Sequence, residues 1–231
     1  SRTARGTAVV NLLNLRGEEE VLAILPISKD SASKEGGFVF FATKGGLVKK
    51  TSLGEFENIR NTGIRAISLR DNDQLVSVRI SHGSGEIMLI SRKGKSIRFE
   101  EKKVRPMGRT AAGVRGIKLG SDDALISMEI VEKKLDARGT THDAREEKLL
   151  TVSRNGYGKT TEIKEYKLQG RGGGGILTSN VTEKTGPLVS ARLIDNSADG
   201  VVINSALGQV IRLPAKDLPV LGRATQGVIL M

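Results

Sequence analysis

The sequence contains no cysteine and no tryptophan, and Phe, Trp and Tyr together make up 3% of its 231 residues. Without thiols there is no disulfide framework, thiolate metal site or cysteine nucleophile, and a reducing compartment is the natural setting. So few aromatic rings exclude a stacking platform for single strands or an RNA-recognition sheet. The missing Trp also excludes the WD signature of interaction propellers. The two histidines, His82 and His142, stand far apart in polar segments, so no metal cluster can be drawn. No apolar run approaches the length of a membrane span, and the N-terminal SRTARGTAVV lacks a signal-peptide layout. A soluble, cytoplasmic protein with no membrane partner is expected.

What the chain does carry is positive charge and glycine. Lys and Arg number 37 against 26 acidic residues, a formal charge of +11, and there are 28 glycines. The surplus favours a polyanionic partner, and if that partner is nucleic acid, so few aromatics make it a duplex held by its phosphates. The densest glycine run, RGGGGI at 171–176, does not meet the needs of a phosphate loop. Gly175 is followed by Ile176, Leu177 and Thr178 where Lys-Ser or Lys-Thr is required at a helix start.

Internal repetition explains that run. A hairpin pattern recurs as FVFFATKGGLVKKTSL (38–53), EIMLISRKGKSIRFE (86–100), LLTVSRNGYGKTTEI (149–163) and GVVINSALGQVIRLP (200–214), each with a Gly closing its turn. A second element, an Arg followed some residues later by Gly and an apolar or β-branched residue, reads RTARGT at 2–7, RNTGI at 60–64, RTAAGV at 109–114, RGGGGI at 171–176 and RATQGV at 223–228. Hairpin and box glycines stand 17 residues apart for Gly46 and Gly63, and 19 apart for Gly94 and Gly113, Gly156 and Gly175, and Gly208 and Gly227. After a box comes a further strand pair with Asp-rich turns, as at 64–80 and 116–130. Repeats of about four short strands at this period predict an all-β, radial, propeller-like array. One domain over 1–231 is expected, with repeats near 1–37, 38–85, 86–148, 149–199 and 200–231. Residues 131–150, VEKKLDARGTTHDAREEKLL, read as a charged, solvated loop.

On the stretches FFATKGGLVKKTSLGEFENIRNTGIRAISLRDNDQLVSVRI, KVRPMGRTAAGVRGIKL and NGYGKTTEIKEYKLQGRGGGGI, the chain resembles the C-terminal domain of the DNA gyrase A subunit from end to end. The resemblance implies a β-pinwheel, a ring of four-stranded antiparallel blades that exchange strands with their neighbours. About five of six repeats are present. It also implies a bacterial, nucleoid-associated domain that binds, bends and wraps double-stranded DNA on a basic outer rim. This would support ATP-dependent negative supercoiling by an A2B2 holoenzyme formed with the rest of the A subunit and the B subunit. No cofactor is expected in this domain, since ATP and Mg would act elsewhere in the holoenzyme. The family's signature box, Q-R-R-G-G-K-G, is not found; its nearest match is Gln169 to Gly175, with glycines in place of one of the two arginines and the lysine. A first blade bearing that box is expected upstream of Ser1. The C-terminal domain of the topoisomerase IV A subunit and a protein-interaction propeller are the alternatives.

Positions three and four past each hairpin glycine keep a cation in every repeat, namely Lys49, Lys50, Arg98, Lys159 and Arg212. Read as a stripe around a rim, these are the expected phosphate contacts; the competing reading is edge protection. The box arginines Arg2, Arg60, Arg109, Arg171 and Arg223 are candidates for either DNA contact or carbonyl bonding within a blade. The box glycines Gly6, Gly113, Gly175 and Gly227 are assigned to backbone needs, positive φ or close strand approach. A topoisomerase nucleophile is a tyrosine. Tyr157 falls in a hairpin turn and Tyr166 in the run before a box, without the partners cleavage requires, so no catalytic residue is expected in this chain.

Overall fold

The computed structural model describes residues 21–26, 37–57, 63–132, 134–135, 141–142, 147–195 and 197–231, with backbone alone at 134–135 and 141–142. The first hairpin joins β1 (Phe38–Thr43) to β2 (Leu47–Ser52). Its turn is closed by Gly46 at φ 81°, whose N–H donates to the Thr43 carbonyl while Thr43 Oγ1 accepts from Leu47 N–H at 3.2 Å. A third strand, β3 (Leu75–Ser81), pairs antiparallel with β1 on its other side. It follows a turn in which Asn72 takes a positive φ and Asp73 Oδ1 accepts from Gly45 N–H at 2.8 Å.

The same three-strand unit recurs as β4 (Glu86–Ser91), β5 (Lys95–Glu100) and β7 (Leu125–Val131), separated in sequence by the two-residue β6 (Val114–Arg115). After the short pair β8 (Lys134–Leu135) and β9 (Thr141–His142), it recurs as β10 (Lys148–Ser153), β11 (Tyr157–Glu162) and β13 (Leu188–Ile194), with β12 (Ile176–Leu177) between the last two. A last hairpin, β14 (Gly200–Asn204) and β15 (Val210–Pro214), is followed by β16 (Val228–Ile229). Segment 131–150 thus carries a small antiparallel pair within the expected loop. Among the described residues no helix is long and apolar enough to cross a membrane.

The second and third repeats each supply three strands to their own sheet and a short fourth strand to the sheet before it; the last supplies the pair β14 and β15 to its own sheet and β16 to the sheet before. The sheet orders are β3-β1-β2-β6, β7-β4-β5-β12 and β13-β10-β11-β16. The all-β, four-stranded antiparallel blades are therefore closed by strand exchange.

Adjacent blades pack face to face, which explains why strand runs such as FVFFA and IMLI are apolar at successive positions rather than alternately. Phe40 and Ala42 face one way, into a core with Ile87, Leu89, Ile97 and Phe99 of the second blade. Val39 and Phe41 face the other way, into a cluster with Leu53 and Val78 against which Leu25 packs. Met88 and Ile90 join Leu149, Ile163 and Tyr166 between the second and third blades, and Leu150 meets Leu218 between the third and fourth.

The inner edges converge. Ser77 Oγ on β3 donates to the Met128 carbonyl of β7 at 3.4 Å, and Ser127 Oγ on β7 to the Ala191 carbonyl of β13 at 2.8 Å. At equivalent positions of these strands, the Glu129 carboxylate accepts from Arg79 at 3.0 Å and Arg192 at 3.1 Å. The opposite edges, at β6, β12 and β16, consequently face outward.

Burial pushes the Glu129 carboxyl up to about 7; the Arg79 guanidinium and the Ser127 hydroxyl oppose the shift without cancelling it. Its folded pKa lies above its unfolded one, so its contribution to stability is complete below pH 4.5 and lost as pH rises from there through about 7. Urea midpoints of the parent should fall relative to Glu129→Gln over that window. A constant difference between the two would show that the arginines outweigh burial.

Candidate nucleic-acid interface

The outward-facing surface is built from the second strand of each hairpin and whatever covers its edge. A bare edge strand leaves a row of unpaired N–H and C=O groups. Here the following repeat lays an arm along it. After a turn of 3-10 helix (Glu101–Lys103), residues 105–107 run parallel to β2, with Pro106 opposite Lys50 and Met107 N–H donating to the Lys50 carbonyl at 2.8 Å. The chain then reverses through the box 109–113 and returns antiparallel as β6 against Leu47 and Val48. Leu168 on β5 and Val220 on β11 repeat the approach, and β12 and β16 the return. The described arms span residues 63–70, 102–118, 164–180 and 216–231, and they form the outer belt.

The box glycine is where the returning backbone presses hardest on the edge. At Gly113, Gly175 and Gly227, φ is 95°, 72° and 86°, and an added Cβ would lie 2.5, 2.4 and 2.6 Å from the carbonyl oxygens of Val48, Ser96 and Gly158. Any side chain there would force the arm off the edge.

The hairpin cations face into this arrangement. Lys49, Lys50, Arg98 and Lys159 are buried, with at most 6% of their surface exposed. The Lys49 ammonium donates to the carbonyls of Ala66 and Arg109, joining two consecutive arms. Lys159 donates to the carbonyls of Gly222 and Arg223 at 2.6 and 2.7 Å and to Thr225 Oγ1 at 3.0 Å. Lys50 pairs at 3.4 Å with Glu101, itself fully buried, and lies over the Phe38 ring. Arg98 bonds the Glu86 carboxylate and donates to the carbonyls of Ile163 and Tyr166 at 2.9 and 2.8 Å. The expectation that these four meet phosphate is corrected accordingly: their charge is used on carbonyls and carboxylates between blades, because both faces of the strand are covered. Arg212 on β15 is the one of the five that is exposed.

The described box arginines, Arg109, Arg171 and Arg223, are partly buried and bond mainly to backbone. Arg171 Nη1 donates to the Arg115 carbonyl at 2.6 Å and Arg223 Nη1 to the equivalent Leu177 carbonyl at 2.9 Å, so each fastens its arm to the arm before. Arg109 instead lies beside Glu55, 3.8 Å from its carboxylate. Arg2, Gly6 and Arg60 fall outside the described residues.

The second blade differs from its neighbours. It carries Ile97 where the first and third carry Lys49 and Lys159, and the arm it receives is RGGGG. A Cβ on Gly173 would sit 3.7 Å from Ile97 Cδ1, an apolar contact where the other boxes meet an ammonium. Tyr166 is buried with its hydroxyl 2.6 Å from Thr178 Oγ1, and burial raises its pKa. Tyr157 lies beneath the Lys184 ammonium. Neither has the setting of a nucleophile, and no group of metal-ligating side chains occurs among the described residues.

A different set of cations is exposed on the belt, a set that neither repeat register nor charge counting had singled out. Arg65 and Arg115 both follow their box glycine by two residues. Arg105 and Lys167 are equivalent where the arms approach the edge, and Arg70 and Lys118 lie further along the returning segments. The cations of the 3-10 turns are exposed too, but Lys102 pairs with Glu100 at 2.9 Å and Lys164 with Glu162 at 2.6 Å.

The family model for the DNA gyrase C-terminal domain, beta-propeller, matches residues 1–28, 37–82, 85–132, 147–195 and 201–231. The DNA gyrase A subunit of Salmonella typhimurium is 44% identical over all 231 residues, and that of Escherichia coli K12 is 40% identical over the same span. The chain covers 24% and 25% of these two relatives, about a quarter of their length. Two solved structures share the fold. One is the C-terminal domain of DNA topoisomerase IV, with TM-score 0.85 and 21% identity, covering 98% of this chain and 66% of that one. The other is the DNA gyrase A C-terminal domain, with TM-score 0.81 and 23% identity, covering 100% and 73%.

Burial draws the Lys159 ammonium down to about 8, against the pull of Glu165. Replacing it with isoleucine, the residue its counterpart in the second blade already uses, leaves the Gly222 and Arg223 carbonyls without a donor. Lys159→Ile should therefore lose about 1–3 kcal/mol of stability in urea unfolding. A variant as stable as the parent would mean that the cost of burying the charge cancels its bonds.

Proposed function

The chain belongs to the DNA gyrase C-terminal domain family, and on that premise we propose that it binds double-stranded DNA along the outer belt of arms and bends it there. The observation that carries this reading is the division of the cations into two populations. Buried ones fasten arms to blades, while exposed ones, Arg65, Arg70, Arg105, Arg115, Lys118 and Lys167, lie along the belt without a carboxylate partner among the described residues. Phosphates need such unspent charges, and no stacking surface is required to hold a duplex.

Bending a short site by 40–90° costs about 1–6 kcal/mol, more than a few contacts on one blade would return. Several arms in a curved row offset it together. The belt is suited to this because each arm is bonded to its neighbour, so the surface does not flatten under the load. In the longer gyrase A subunit the same belt would present wrapped DNA to the rest of the enzyme, with the B subunit completing the assembly. Strand cleavage and ATP hydrolysis would belong to other parts of that assembly, and the wrap would serve negative supercoiling. The domain would work in the bacterial cytoplasm, on the nucleoid. The topoisomerase IV relative, which shares the fold, is the second reading: bending without a handed wrap.

Two measurements test the proposal. Affinity should rise steeply between duplexes of about 12 and about 40 base pairs, beyond the statistical gain in sites, as more arms engage. It should also fall with salt at a slope near −0.9 per phosphate neutralised. Relaxation and resealing of nicked plasmid with increasing protein should give a positive linking-number shift if the wrap is handed. Binding without a shift would favour the second reading, and no salt-sensitive binding to duplex would overturn both.

A further inference from the structure

The belt is not uniform along the chain. The residue two past the box glycine is Arg65 in the first arm and Arg115 in the second, but Leu177 in the third and Ile229 in the fourth. Leu177 and Ile229 are 41% and 66% exposed, so the change is one of surface and not of core. Where the arms approach the edge strand, the second carries Arg105, the third Lys167 and the fourth Pro219, each followed by Pro106, Leu168 or Val220. Leu168 and Val220 are each 49% exposed, and Val228 adds a further apolar group to the fourth arm. Beyond the box, Lys118 of the second arm gives way to Asn180 in the third. At the position two past the box glycine the later arms present no charge, Lys118 has no charged counterpart on the third arm, and the approach position keeps a cation through the third arm and loses it at the fourth.

We propose that the duplex is held chiefly by the first and second arms, 63–70 and 102–118, and disengages from the belt before the fourth. This rests on the DNA-binding reading and adds to it the position and polarity of the contact. The physical reason is one-sided. A phosphate opposite Arg65 or Arg115 exchanges condensed counterions for a fixed guanidinium. A phosphate pressed against Leu177 or Ile229 would instead lose hydration to carbon without a partner. The bend is therefore concentrated over the first two blades, and the DNA leaves the rim on the side of the last hairpin.

The proposal is tested on the chain with two double variants and one gain-of-charge variant, each checked by urea unfolding. All the residues changed are exposed and make no side-chain hydrogen bond or ion pair that the fold uses. Arg65→Gln with Arg115→Gln should weaken binding to a 40-base-pair duplex about tenfold or more at moderate salt and reduce the salt slope by about 2. Arg212→Gln with Lys216→Gln, which removes the same formal charge from the last repeat, should change the slope by less than about 0.5. Leu177→Arg with Ile229→Arg should lengthen the stretch of DNA protected from hydroxyl radicals. Equal losses in the two charge-removing variants, or an unchanged footprint in the third, would overturn the graded belt while leaving DNA binding intact. Failure of the parent to bind duplex would sink the underlying reading as well.

Discussion

The structure depends on the covering of one strand edge. In the first three blades the outward strand is the second of the hairpin, paired on one side with its own first strand and with nothing of its own repeat along its other edge. The next repeat supplies both neighbours, a parallel approach and an antiparallel return, and the box between them is a reversal tight enough to need glycine against a carbonyl. Sheet closure, the order of the blades and the continuity of the rim all follow from it. The arm that satisfies one blade's backbone belongs covalently to the next, so no blade is complete alone.

The same constraint explains where the cations go. A box turned against an edge points carbonyls inward, and buried carbonyls need donors. Lys49 and Lys159 supply them, each contacting more than one carbonyl, while Lys50 and Arg98 reach the 3-10 turn of the following blade. Charged donors give stronger bonds than neutral ones, which offsets part of the cost of burying them. In the second blade the donor is absent and the box is almost all glycine. A flexible chain with no side chains can lie over Ile97 without an ammonium to draw its carbonyls in.

Function lies in what the staples leave over. With blade-to-blade cohesion assigned to buried cations, Arg65, Arg70, Arg105, Arg115, Lys118 and Lys167 are left facing solvent along the linked arms. Rigidity and charge are then separate properties of different residues. The surface can vary its charge from arm to arm, as it does between Arg115 and Leu177, without loss of the fastening that Arg171 gives through the backbone carbonyl of Arg115.

Much of the architecture was legible in the sequence. The hairpin period, the box at constant distance from it and the Asp-bearing turns before the inner strands are local patterns; the hairpins, the boxes at 109–113, 171–175 and 223–227 and those turns are found in the structure, while the strand pair expected at 64–80 is the single strand β3. What a single chain could not reveal is which side of a strand stays wet. In an isolated sheet a lysine on an alternating strand marks the solvent face, but here both faces are sealed by neighbouring blades, so adjacent Lys49 and Lys50 are buried in opposite directions. One clue was present: the position of Lys49 and Lys159 is occupied by isoleucine in the other two repeats, Ile97 and Ile211, which suits an interior site better than a phosphate contact. By itself the sequence determined the repeat, the strands, the turns and the surplus of positive charge, because those depend on neighbours in the chain. The tertiary structure alone decided which charges are fastened inside and which face the rim, because that depends on carbonyls brought by an arm about sixty residues away.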